Sequence, residues 1–206
     1  MPELYQWQSA LATLGIEAHA LSPMADAGVV MSERRAGTQL AIRGDGSNDE
    51  FRAGVADVFG VELPVETKTA HRKGDTTIVW LGPNEWLAVM AADNDGKLGI
   101  EFTEALADVR HAIVDVSHSR TVIGLEGPHA REVLMKGTNI DLHPRAFGPG
   151  NCIQAHLGRC HMLLHQIDNL PGYDIYIHRS FAVYAWNWLS DAATEYGIAF
   201  ASARNN

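Results

Sequence analysis

The sequence predicts an α+β fold of two related α/β layers with mostly antiparallel sheets. Short apolar segments with strand alternation follow one another through Gly-, Pro- and Asn-containing turns, a pattern of hairpins. Amphipathic helical segments with caps at both ends separate them. The order β-α-β-β-α-β occurs once between residues 38 and 118 and recurs in similar form over 119–206.

The chain begins with "ELYQWQSALATLG", which places Leu4, Trp7, Leu11 and Leu14 on one helical face and Gly15 at its end. The stretch to Gly37 has no clean period and reads as an extended arm with a short strand at "GVVMSE". Residues 1–37 are therefore expected to be an N-terminal helix and arm. The first α+β unit, 38–118, opens with the strand "TQLAIRG". In "NDEFRAGVADVFG", Asn48 suits the N-cap, Asp49 and Glu50 the first turn, and Gly60 the end. Phe51, Val55, Val58 and Phe59 share its apolar face. "TTIVWLGPNEWLAVMA" reads as a hairpin around Gly-Pro-Asn. A helix with Phe102, Ala105, Leu106 and Val109 on one face follows, and then the strand "HAIVDVS".

The second unit, 119–206, starts with the strand "RTVIGLEG" and the helix "PHAREVLMKG", with Pro128 in its first turn and Gly137 at its C′ position. "CIQAHLG" and "CHMLLHQI" form paired strands and "YDIYIHR" a third. In the last helix Ser180 is the expected cap, and Phe181, Tyr184, Ala185, Trp188, Leu189 and Ala192 the expected buried stripe. The two units are expected to pack as one compact domain.

Composition narrows the function. The 206 residues carry a formal net charge of −9 at pH 7, a surface that repels nucleic-acid phosphates. No apolar run approaches a membrane span, and the N-terminus lacks the pattern of a secretory signal. Cys152 and Cys160 are too few for a disulfide framework. A reduced, cytoplasmic protein with neither nucleic-acid nor membrane partner is the expectation.

Catalytic signatures are absent. There is no G-x-G-x-x-G, no P-loop, no G-x-S-x-G elbow and no H-E-x-x-H. "DNDG" at Asp93–Gly96 lacks the distal Glu of a calcium loop and reads as a turn. His156, His161 and His165 lie near Cys152 and Cys160, but Cys160 and His161 are adjacent and must face opposite sides of a strand. No metal site is expected. His161 cannot serve Cys160 as a base for the same reason, and Trp80, Trp86, Trp186 and Trp188 read as core or interface.

Asp115, His118 and Arg120, in "DVSHSR", are the remaining candidates. In one reading Asp115 is a carboxylate that recognises a basic ring or amine. In the other the segment is a tight turn, with Ser117 and Ser119 bonding local backbone and Asp115 and Arg120 forming a partly exposed ion pair.

Four stretches carry a resemblance: "GVVMSERRAGTQLAIRG", "LGPNEWLAV", "VDVSHSRTVIGLEGPHAREVLMKGTNIDLHPRAFGPGNC" and "GYDIYIHRSFAVYAWNWLSDAATEYG". Together, from about Gly28 to Gly197, they resemble the gamma subunits of heterotetrameric sarcosine oxidases, a family akin to the folate-binding aminomethyltransferase fold. The resemblance implies an accessory, noncatalytic chain in a flavoenzyme complex with alpha, beta and delta subunits. Such a complex oxidatively demethylates sarcosine to glycine and passes the one-carbon unit to tetrahydrofolate. It uses FAD, FMN, NAD and tetrahydrofolate on those other subunits, so no cofactor is expected on this chain. Asp115, His118 and Arg120 are then folate- or partner-facing candidates. Folate-dependent relatives carry Lys-Gly-Cys-Tyr-x-Gly-Gln-Glu, whereas here Lys136 and Gly137 precede no such cysteine. A standalone folate-binding one-carbon transferase, or the equivalent subunit of an N-methylglutamate dehydrogenase, remain the other readings.

Overall fold

The structure, a computed structural model, describes residues 8–16, 27–34, 37–90 and 97–204, with side chains through Ala201. Eleven strands among these residues form two sheets. The first sheet has the order β3-β4-β5-β2-β6, with β2 Thr38–Gly44, β3 Ala70–Lys73, β4 Thr76–Gly82, β5 Glu85–Met90 and β6 His111–Asp115. The second has the order β11-β1-β7-β10-β9-β8. Its strands are β1 Val29–Arg34, β7 Arg120–Glu126, β8 Cys152–Leu157, β9 Cys160–Asp168, β10 Gly172–His178 and β11 Ile198–Arg204. All pairings are antiparallel except β1 with β11.

Local sequence explains the elements. Helix α1, Asp49–Phe59, starts where Asn48 Oδ1 accepts from the amides of Glu50 and Phe51, at 2.8 and 3.1 Å. It ends at Gly60, whose φ of 68° is left-handed. Phe51, Val55 and Phe59 are buried, and α2, Lys97–Ala105, meets them through Phe102 and the following Leu106. Ala105, expected on that face, is exposed. At the β4–β5 turn, Asn84 takes a positive φ of 62° and its Oδ1 accepts from the Gly46 amide.

The structure departs from expectation at the two later helices and in two added strands. Helix α3, Ala130–Met135, begins after Pro128, and Gly137 is not its left-handed end. Glycine is required there because a Cβ would stand 2.3 Å from the Trp188 ring. In α4, Ala182–Ala193, the buried stripe is Ala182, Ala185, Trp186, Leu189 and Ala193, while Phe181 and Tyr184 are exposed. A 3-10 turn over Arg179–Phe181 precedes the helix, and no side chain caps it, Ser180 included. Two strands were not expected, β3 and β11. Both are short or marginal in period: β3 is almost wholly exposed, and "IAFASAR" lacks a clean alternation.

With these added, the units match. The orders β2-α1-β3-β4-β5-α2-β6 and β7-α3-β8-β9-β10-α4-β11 are the same. The sheet orders correspond too, except that β1 is inserted between β7 and β11. The segment expected as an arm thus supplies a strand inside the second sheet. Further upstream, Ala12–Leu14 is a 3-10 turn ended by Gly15, and Leu11 is buried against the second unit's core. Leu4 and Trp7 lie outside the described residues.

Each strand faces two ways, so each sheet has helices on one face and the other sheet on its opposite face. Trp86, Ala88 and Met90 point to α1 and α2, while Leu87 and Val89 point to the second sheet. There they meet Val122, Leu163, Tyr176 and Cys152. At one edge the sheets join, where Cys152 N donates to Lys68 O and Ala70 N to Gly150 O.

One polar cross-link lies within the second sheet, on the face toward the first. Arg34 of β1 reaches over β7 to Asp174 of β10, with Nε 3.0 Å from Oδ1, and its Nη2 is 2.5 Å from Glu126. The side chains of Arg34 and Asp174 are each 9% exposed. Gly124 lies between Ser32 and Asp174 in register, and a Cβ on it would sit 2.7 Å from the guanidinium. Burial disfavours the Arg34 charge, but Asp174 and Glu126 outweigh it and hold its pKa above the ordinary value. Removing Asp174 leaves the buried Arg34 charge with only the partly exposed Glu126, a loss at or below the low end of the about 3–5 kcal/mol of a fully broken buried pair. Asp174→Ala is therefore expected to lower the urea-derived unfolding free energy by about that amount. The joint replacement Arg34→Met with Asp174→Leu is expected to cost much less.

Candidate functional site

The turn between β6 and β7 joins the two units and holds all three candidate residues. Asp115 Oδ1 accepts from the Ser117 amide and hydroxyl at 2.8 and 2.6 Å, closing an Asx turn. The Ser117 hydroxyl oxygen also accepts from Gln39 N at 2.9 Å, tying the turn to β2. Ser119 donates from both N and Oγ to Val116 O, and its own carbonyl accepts from Arg179 N. The turn is thus bonded to β2 and to the 3-10 turn that follows β10; Ser119 bonds local backbone as expected, whereas the Ser117 hydroxyl bonds the Asp115 carboxylate and the Gln39 amide.

The expected Asp115–Arg120 ion pair does not form among the described residues. The Ser117 hydroxyl lowers the Asp115 pKa, against burial, with the Ser117 amide and the His118 charge adding to the effect. Arg120 is half-buried; burial lowers its pKa and the nearby Glu85 opposes this. Glu85 is itself bonded to Arg43 at 3.1 Å. His118 is exposed, and with Ser119, His178, Arg179 and Phe181 it lines an open cleft of about 690 Å³ that residues 8–10 border. Sequence reasoning missed His178 and Arg179, although the alternation of "YDIYIHR" puts His178 on the same face as Tyr176 and across from Arg120.

The cysteines and histidines near residues 152–165 do not converge. Among the described residues no group of three His, Cys, Asp or Glu has metal-binding geometry. His156 and His161 are register partners with ring centroids 4.1 Å apart, and Cys160 faces the helix side instead. Cys152 donates to Thr69 O at 3.1 Å, and burial pushes its thiol up to about 12, away from the reactive thiolate. Cys160 is also raised by burial. Trp86 is buried and donates to Pro64 O at 2.7 Å, while Trp186 stacks on Phe200, so both act in the core. "DNDG" lies outside the described residues.

Two sets of comparisons bear on this chain. Its architecture is that of the aminomethyltransferase fold: it superposes on glycine cleavage system aminomethyltransferase T from Bartonella henselae with a TM-score of 0.60 at 12% identity, covering 93% of this chain and 51% of that one. Its residues 43–195 match the sarcosine oxidase, gamma subunit family. The chain is 34% identical over 181 residues to sarcosine oxidase subunit gamma of Corynebacterium sp. (strain P-1), covering 87% of each. It also superposes on a chain of the heterotetrameric sarcosine oxidase from Corynebacterium sp. U-96 with a TM-score of 0.81 at 30% identity, covering 94% and 97% of the two chains. The chain belongs to the sarcosine oxidase gamma subunit family.

His165 offers a direct check on the described interior. It is 4% exposed, opposite Asp174 on β10 and Cys152 on β8, and burial, with the Arg72 charge, lowers its pKa to about 4. The unfolded ring binds its proton near pH ~6.5, so between those values the unfolded state holds more protons and gains stability. This residue's contribution is complete above about pH 6.5, and about 3 kcal/mol of it is lost as pH falls to 4. Unfolding free energies across that range should fall less steeply in His165→Gln than in the parent protein.

Proposed function

We propose that this chain is an accessory, noncatalytic subunit of a heterotetrameric complex that oxidatively demethylates sarcosine. The observation that carries the reading is the likeness, over nearly the full length of both, to a chain of a heterotetrameric sarcosine oxidase. In this reading FAD, FMN, NAD and tetrahydrofolate are held by the alpha, beta and delta subunits. The geometry supports a structural part. Asp115, the carboxylate best suited to hold a pterin or an amine, has one oxygen engaged by Ser117, and the two thiols are buried and deactivated. What the chain's residues do is hold shape: the β6–β7 turn is tied to β2 and to the 3-10 turn after β10, and Arg34 joins the inserted strand to β10.

Co-expression with the other three subunits tests this. A tagged copy of this chain is expected to retain a yellow, sarcosine-oxidising complex, while the chain alone shows neither flavin absorbance nor turnover. An active complex that excludes the chain would overturn the reading. Calorimetric titration of the isolated chain with tetrahydrofolate is expected to give no binding heat; binding abolished by Asp115→Asn would establish a folate site instead.

A further inference from the structure

Of the cysteines and histidines near residues 152–165, which form no single cluster, two stand face to face. His156 on β8 and His161 on β9 are register partners, both exposed, with ring centroids 4.1 Å apart and planes tilted by 42°. The hairpin between them sets this spacing. Leu157 pairs with Cys160, so Gly158 and Arg159 alone make the turn. Gly158, with a φ of 57°, fills the first turn position, where type II′ hairpins take glycine. In a two-residue hairpin the closing pair is hydrogen-bonded. The pair after it, here His156 with His161, is the non-hydrogen-bonded kind, whose side chains lie closest. The turn is anchored from outside as well, since Gly158 N donates to Gly137 O and Arg159 N to the Tyr184 hydroxyl. Leu157 and Cys160, buried on the opposite face, keep the strands from slipping by one residue.

We infer that His156 and His161 form a two-imidazole site for a divalent transition-metal ion, copper(II) or nickel(II) by preference. The site is a property of this chain alone and does not depend on the subunit reading. Geometry is the main argument. An ion bonds each imidazole nitrogen at about 2.0–2.1 Å, which sets two rings held at right angles about 4.5 Å apart, centre to centre. The two rings here are within a few tenths of an ångström of that spacing. Preorganisation is the second argument: the paired strands, not the ion, bring the rings together, so little ordering remains to oppose binding. Ligand chemistry selects the ion. Imidazole suits copper, nickel and zinc rather than magnesium or calcium, and copper(II) leads the divalent series. Structural zinc takes four protein ligands, and among the described residues no third His, Cys, Asp or Glu joins this pair in metal-binding geometry. Cys160 is turned to the other face, its thiol bonded to Leu157 O. A tetragonal ion accepts two neighbouring nitrogens and completes its shell with water, which reaches both exposed rings.

Because the two ligands lie on different strands, the folded chain chelates the ion far better than the unfolded chain, so bound metal raises the unfolding midpoint. The test uses the full chain without a polyhistidine tag, titrated with copper(II) or nickel(II) chloride. The inference expects a midpoint that rises with metal concentration in the parent protein. Apparent affinity is expected to weaken about tenfold or more in His156→Gln and in His161→Gln, since each loses the second, intramolecular ligand. Both side chains are exposed, so the metal-free midpoints of these variants should match the parent's. The electron paramagnetic resonance spectrum of the copper(II) form is expected to show two coordinating imidazole nitrogens in the parent and fewer in each variant. His178→Gln, on β10, serves as the control and should leave the affinity unchanged. A midpoint that neither ion raises, or that rises equally in the parent and in both variants, would overturn the inference. A loss in His178→Gln as large as in the pair would overturn it too, because the ion would then sit elsewhere.

Discussion

The buried contact between Arg34 and Asp174, made across Gly124, is the constraint on which the second half of the molecule depends. A guanidinium taken out of water must find carboxylates, and the two it finds lie on neighbouring strands of the same sheet. That fixes β1 against β7 and, through the parallel pairing of β1 with β11, fixes the C-terminal strand as well. Apart from the inserted β1, the second sheet has the five-strand layout of the first. The glycine is as necessary as the charges, because any side chain at position 124 would occupy the path the arginine takes.

The two units are variations on one element order, and the variation is placed where the chain meets itself. In the first sheet β6 pairs directly with β2; in the second, β1 comes between the corresponding strands. The β6–β7 turn then has two duties. It carries the chain from one unit to the next, and its serines tie it to β2 and to the 3-10 turn that follows β10. Polar residues that resemble a catalytic cluster in one dimension thereby become the fastening of a double fold.

Much of this was legible in the residues. Asn48 and Gly60 announce α1 because caps act locally, and the β4–β5 hairpin follows from Gly-Pro-Asn between apolar runs. The opposite facing of Cys160 and His161 follows from strand geometry alone. What escaped depends on contacts distant in sequence. The insertion of β1 brings Arg34 to Asp174, 140 residues away, and no local period encodes that. The α4 stripe lies one residue on from the expected one because packing against the core, not local period, sets which face is buried. At the candidate site, the role of Asp115 was readable as a turn, but its partner was not, since Ser117 lies closer in the fold than Arg120.

Native-state amide hydrogen exchange over Val29–Arg34 tests the central claim, that β1 is an integral strand held by a buried charge contact. The account predicts that these amides exchange as slowly as those of β7 and β10, through global unfolding, and that Asp174→Asn speeds them selectively. Fast exchange at β1 in the unaltered protein, with β7 and β10 still protected, would contradict it.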